Sequence, residues 1–102
     1  MIRVVYDPLH HRLQLRGHAG YPAKGIDPIC CAASVLCYTL AENVQHVEPE
    51  AQILLRRGYA RIQCRKTDAD SMFVFCYRGL ARLAEQYPDH IRCTCLHRKE
   101  DL

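Results

Sequence analysis

Residues 2–16, IRVVYDPLHHRLQLR, decide the fold class. Ile2, Val4 and Tyr6 alternate with Arg3 and Val5, Asp7-Pro8 breaks the run, and Leu13 and Leu15 alternate with Arg12, Gln14 and Arg16. A period of two with one apolar face predicts a hairpin of half-buried strands. The pattern returns at 52–65, QILLRRGYARIQCR, where Gln52 to Leu55 and Tyr59 to Arg65 flank Arg56-Arg57-Gly58. In both hairpins arginines and glutamines lie opposite the apolar residues. One face of the sheet is therefore covered and the other meets water.

Between the hairpins the period changes. Gly17 to Asp27, GHAGYPAKGID, holds three glycines and a proline with no apolar period, and reads as an ordered but mobile loop. Asp27-Pro28 is a helix start: the carboxylate can cap the first free N–H groups, and proline at the first helical position lacks the N–H that would go unpaired. A helix is predicted from Pro28 to about Val44, with Ile29, Ala32, Ala33, Leu36 and Leu40 at spacings of three and four. Asp70-Ser71 offers a cap for a second helix, whose stripe runs through Phe73, Val74, Tyr77, Leu80, Ala81, Ala84 and Tyr87. A short strand, Ile91 to Leu96, closes the chain's order as strand, strand, helix, strand, strand, helix, strand. That order predicts a two-layer α+β sandwich, a mixed or antiparallel sheet with both helices on one face.

The 102 residues suit a single domain, 1–102, too small to bury all its apolar surface alone, so a homodimer or other oligomer is expected. No run reaches the length of a membrane span, and MIRVVYDP lacks the apolar core of a signal peptide, which predicts a cytoplasmic protein with reduced thiols. The cysteines number seven, an odd count for a disulfide scaffold. A formal charge of +3 with interspersed acids and bases is not the profile of a chain built chiefly to bind phosphate backbones.

The chemistry concentrates at the first helix start. Counted from Asp27, Cys30 is the third helical residue, where unpaired N–H groups and the helix dipole favour an anion such as a thiolate. A cysteine there, near an imidazolium, can have its pKa lowered below the free value. His18 lies twelve residues upstream at the end of a strand, and Gly20 and Gly25 let the loop fold back. Against this stands the ordinary reading of a cysteine in a helix as packing.

The segment Gly17-His18-Ala19-Gly20-Tyr21, then Gly25, Asp27, Ile29, Cys30, Ala32 and Ser34, resembles the signature of the ribosomal-processing cysteine protease family Prp. The likeness covers about eighteen residues closely. It implies a homodimeric endopeptidase that removes a short N-terminal extension from large-subunit ribosomal protein twenty-seven. By the resemblance, Cys30 is the nucleophile and His18 the general acid/base. Gly20, Tyr21 and Gly25 belong to a loop that orders over the substrate peptide. Backbone N–H groups around Cys30 and Cys31 are the expected oxyanion donors. Asp27 either caps the helix or orients His18, and the cap is favoured; Ser34 bonds within the site or to its own helix. The sequence departs from the signature at Pro28, where an apolar residue is usual, and at Pro22 and Cys31, where alanine is usual, and a second thiol could compete with or trap the first.

Two other features are weighed. Cys93-x-Cys95-x-His97 has zinc-ligand types, but a period of two on a strand favours packing, so no metal or cofactor is expected. Arg56, Arg57, Arg61, Arg65 and Lys66 suggest a ribosome- or RNA-associated binding module without protease activity as the alternative. No aromatic residue is interleaved to stack bases, so a solvated charged face is preferred and nucleic acid is not an expected partner. His10-His11 reads as surface, and Phe73, Phe75 and Tyr77 as core or dimer interface.

Overall fold

The computed structural model describes residues 1–20 and 26–96. Strands β1 (Ile2–Asp7) and β2 (Arg12–Arg16) form the first hairpin. Strands β3 (Gln52–Arg56) and β4 (Tyr59–Gln63) form the second. Helix α1 (Pro28–Val47) separates them, and α2 (Asp70–Gln86) leads to β5 (Ile91–Cys95). The sheet order is β3-β4-β2-β1-β5, antiparallel except for β1 against β5. This is a mixed sheet, and both helices pack on one face of it.

Register explains why one face is dry. Tyr6 sits opposite Leu13, Val4 opposite Leu15, Leu13 opposite Ile62, and Ile2 opposite Ile91, so the apolar positions of four strands meet side by side. Against them lie Ile29, Ala33, Cys37, Leu40, Ala41 and Val44 of α1, and Phe73, Cys76 and Leu80 of α2. Phe73, Leu13, Ile62, Leu80 and Ile91 are among the side chains fully removed from water, each stabilising the fold by about 1.5–3 kcal/mol. Tyr6 binds the second helix through rings, 6.1 Å from Phe73 and 5.6 Å from Tyr77 between centroids.

Some local expectations change. Helix α1 runs one turn further than its apolar period suggested, to Val47, and Cys37 takes the buried place on a stripe where Ala32 and Leu36 are only half-buried. At α2 the cap is Ala69, which makes no side-chain cap bond. Asp70, expected to cap, lies in the first turn and accepts instead from His11 Nδ1 at 2.8 Å. His11 is thus half-buried and ties the first hairpin to α2, while His10 pairs with Asp7 at 2.7 Å and stays exposed. Phe73 is core, but Phe75 is 81% exposed. Cys93 and Cys95 pack half-buried against the core, and burial pushes the Cys93 thiol up to about 11. His97 lies outside the described residues. Among the described residues no helix is long and apolar enough to cross a membrane.

Candidate active site

The end of β2 and the start of α1 are stitched together by backbone groups. Gly17, with φ +101, donates its N–H to the Gly58 carbonyl at 2.9 Å, and a Cβ on it would lie 2.4 Å from the Met1 carbonyl oxygen. Only glycine fits there. His18 follows and turns its exposed imidazole over the β3–β4 turn, so a Cβ on Gly58 would stand 2.7 Å from His18 Nε2. Gly58 has φ +74, as a tight hairpin turn requires, and its bare Cα is also the floor under the imidazole.

Ala19, the next residue, is buried and held at both ends of its peptide. Its N–H donates to Cys30 Sγ at 3.4 Å, and its carbonyl accepts from His90 Nδ1 at 2.9 Å. The carbonyl acceptor fixes His90 as the tautomer with hydrogen on Nδ1. His90 itself is tied in, since its carbonyl accepts from Ile2 N–H at 2.9 Å. Sulfur, the peptide after His18 and the approach to β5 thus form one connected unit.

Asp27 is the cap that the sequence predicted. Its Oδ1 accepts from Ile29 N–H at 2.9 Å and Cys30 N–H at 3.1 Å, with Pro28 at the first helical position. This arrangement alters two expectations. The Cys31 N–H donates to the Asp27 carbonyl at 3.0 Å, the first helical bond, so neither it nor the Cys30 N–H is directed outward as an oxyanion donor. The second change is the thiol itself, raised above its ordinary value by burial and then by the neighbouring Asp27 carboxylate, with the Ala19 N–H working the other way. The helix start was expected to lower it. Burial of the sulfur disfavours the thiolate most, and the capping carboxylate adds a negative charge beside it.

His18, Gly20, Asp27, Cys30, Cys31 and Ser34 all line one open cleft of about 860 Å³. Among the described residues no hydrogen bond joins the His18 imidazole to Cys30 Sγ; catalytic contacts commonly tighten only when substrate arrives. Gly20 takes φ +68, and Ser34 is exposed one turn beyond Cys30. Cys31 is exposed beside the half-buried Cys30. Ile26, Val35 and Tyr38 add exposed apolar surface, and Arg56 with Arg57 adds positive charge, to the walls. Tyr21 and Gly25, expected in the substrate loop, lie outside the described residues. The sequence reading missed His90 and the second role of Gly58. The signal for Gly58 was present only as a turn glycine, and for His90 there was none.

A half-buried thiol at a helix start, with a histidine on the same open cleft, is the equipment of a cysteine hydrolase acting on an extended substrate. Comparison with known proteins narrows this class. The family model described as cysteine protease Prp matches residues 1–92, and the chain belongs to that family. It is a cysteine protease. Among solved structures, the chain is similar to an essential ribosomal processing protease Prp from S. aureus in complex with a covalently linked product peptide. That match has a TM-score of 0.81 at 20% identity, covering 94% of this chain and 100% of that one. The same S. aureus protease in complex with a substrate peptide gives 0.71 at 16% identity over 93% and 97%. SMU.848 from Streptococcus mutans gives 0.70 at 21% identity over 95% and 93%. At these identities the likeness shows a shared fold. No curated protein sequence matches the chain.

Proposed function

We propose that Cys30 is the nucleophile and His18 the acid/base of an endopeptidase that matures a ribosomal protein by removing its N-terminal extension, with large-subunit ribosomal protein twenty-seven as the substrate. The observation that carries the assignment is the 3.4 Å bond from Ala19 N–H to Cys30 Sγ, which couples the sulfur to the peptide bearing His18. The similar S. aureus structures, with product and substrate peptides, support a peptide in the same cleft.

Because the resting sulfur is held as a thiol, the reaction begins with proton transfer from Sγ to the His18 imidazole. The Sγ–C bond forms as the thiolate attacks the scissile carbonyl, and Ala19 N–H stabilises the sulfur anion before attack. His18 then gives its proton to the leaving amine as the C–N bond breaks. Water, deprotonated by the same imidazole, hydrolyses the thioester and returns the thiol. Asp27 serves this step by fixing the helix start. Ser34 and Gly20 contribute to the cleft that receives the peptide.

A ribosomal substrate would put the proposed site of action in the cytoplasm. The protein is proposed to act as a homodimer, and Phe75 on α2 is an exposed apolar side chain that a second copy would cover. Sedimentation of the wild type and Phe75→Glu tests the pairing: a dimer that becomes monomeric supports this contact, and an unchanged mass rejects it.

The functional test is incubation with the ribosomal protein bearing its native N-terminus, followed by mass spectrometry. The wild type should release a short N-terminal peptide and Cys30→Ala should not. Intact substrate after incubation with the wild type would reject the substrate. Cleavage lost in Cys31→Ala but retained in Cys30→Ala would move the nucleophile by one residue.

A further inference from the structure

The sheet face away from the helices carries a pattern that only register reveals. Arg56 of β3 lies opposite Tyr59 of β4, Tyr59 opposite Arg16 of β2, Arg16 opposite Arg3 of β1, and Arg3 opposite Arg92 of β5. Four arginines and one tyrosine therefore stand in a single rank across all five strands. At a strand spacing of about 4.8 Å the rank spans roughly 19 Å. We infer that this rank is a binding surface for the phosphate backbone of single-stranded RNA.

Three observations carry the inference. Like charges directly opposite one another weaken a sheet, yet Arg3 faces Arg16 on one side and Arg92 on the other. Among the described residues no carboxylate pairs with Arg3, Arg16, Arg56 or Arg92. With Arg12 and Arg61, the strands of the open face carry six arginines against one carboxylate, Asp7, which is already bonded to Arg12 and His10. A net of five positive charges on one face exceeds the +3 of the whole chain, so the charge is segregated and the remainder of the molecule is net acidic.

The chemistry of the rank selects the occupant. Every cation in it is arginine, whose planar fork matches phosphate oxygens two at a time, where lysine offers a point charge. Tyr59 supplies a ring within the rank, and the Arg16 guanidinium lies 5.3 Å over it, a place a base would take as Arg16 turns to a phosphate. Base stacking on such a platform, beside a positive track for the backbone, is how single strands are held without sequence preference. The interleaved aromatic that the linear sequence lacked is thus present in space. A second copy of this face would be repelled by it, and an acidic peptide would have no use for the ring.

Arg56 and Tyr59 also line the cleft that holds Cys30. RNA on the rank would pass along the rim of the active site, where a ribosomal protein still associated with RNA could be presented. The choice of RNA among polyanions rests on the ribosomal substrate proposed above. Failure of that substrate would appear as absent cleavage and would leave the binding result readable.

The test is fluorescence anisotropy with a labelled single-stranded oligouridylate of about 12 nucleotides, titrated at several salt concentrations. The inference predicts saturable binding whose log affinity falls against log salt with a slope of about −3, from four arginines displacing counterions. Arg3→Gln/Arg16→Gln, neither residue lining the cleft, should weaken binding by about tenfold or more. Its melting temperature should hold or rise, because the substitutions remove repulsion. No binding at low salt, or equal binding by the double variant, would overturn the inference. Tighter binding of a polyglutamate peptide or of anionic phospholipid vesicles would reassign the face.

Discussion

Helix α1 is flanked by a carboxylate at each end, and the two do different work. Asp27 accepts N–H bonds from Ile29 and Cys30 of its own helix, beside the sulfur. Glu48 is buried at the other end and accepts from the Arg65 N–H at 2.9 Å and the Lys66 N–H at 3.0 Å, holding the segment after β4. The Arg65 N–H, opposed by burial and helped by the Lys66 N–H, draws the Glu48 carboxyl below its ordinary range. One group adds to the raising of the Cys30 thiol and the other fastens the fold. The same capping chemistry bears on a side chain's ionisation only where a titratable atom lies within reach of the charge.

Substitutions can separate the two ends. His18→Ala should have the largest effect, lowering kcat by about 10²–10⁴ with the fold intact, as loss of a general acid/base does. Stopped assays with circular dichroism as the control check this; a change of less than tenfold would remove His18 from its role. Gly58→Ala comes next. Its methyl would meet His18 Nε2 and displace the imidazole, lowering kcat by about 10²-fold, and strain at φ +74 would add a stability loss of about 1 kcal/mol.

Asp27→Asn preserves a capping side chain but removes the charge beside Cys30. Since burial and then that charge raise the thiol, the substitution should move its titration down. Alkylation of Cys30 followed against pH in a Cys31→Ala background reads the shift; an unmoved midpoint would show that the Asp27 charge is irrelevant to the sulfur. His90→Ala should loosen the Ala19 carbonyl and cost a smaller loss in kcat. His90→Asn, which can donate from nearly the same place, should restore part of it.

At the other end, Glu48→Gln should leave kcat unchanged and lower stability by about 1–3 kcal/mol, the range for hydrogen bonds to a buried charged group. The sign of its pH dependence follows from the lowered folded-state value. The contribution of Glu48 is present above its ordinary value of 4.5 and disappears as pH falls through the folded value below it. Chemical denaturation at pH 7 and pH 3 should therefore distinguish wild type from variant strongly at the first and weakly at the second.

Much of the fold was legible because it is local. Ile2, Val4 and Tyr6 announce their face by alternation, and Asp27-Pro28 marks a helix start by its own stereochemistry. The parallel pairing of β1 with β5 was not legible, since the 83 residues of chain between Asp7 and Ile91 leave no periodic trace. That Cys30 and His18 share one cleft was legible because the chain between them is short and the motif contiguous. His90 was hidden because it acts on a backbone carbonyl, and any residue at position 19 presents one. The arginine rank was hidden for a related reason: Arg3, Arg16, Arg56, Tyr59 and Arg92 come from five strands, and only their register makes them neighbours. The direction of the Cys30 shift also escaped the sequence, which shows a helix start but neither the burial of the sulfur nor the carboxylate charge beside it.

The central claim is that Cys30 forms the covalent acyl-enzyme. It is tested most directly by quenching the reaction with an N-terminal substrate peptide in acid and locating the thioester by mass spectrometry. The account predicts an adduct on Cys30 in the wild type and in Cys31→Ala, and none in Cys30→Ala. An adduct that stays when Cys30 is replaced, or that maps to Cys31, would contradict it.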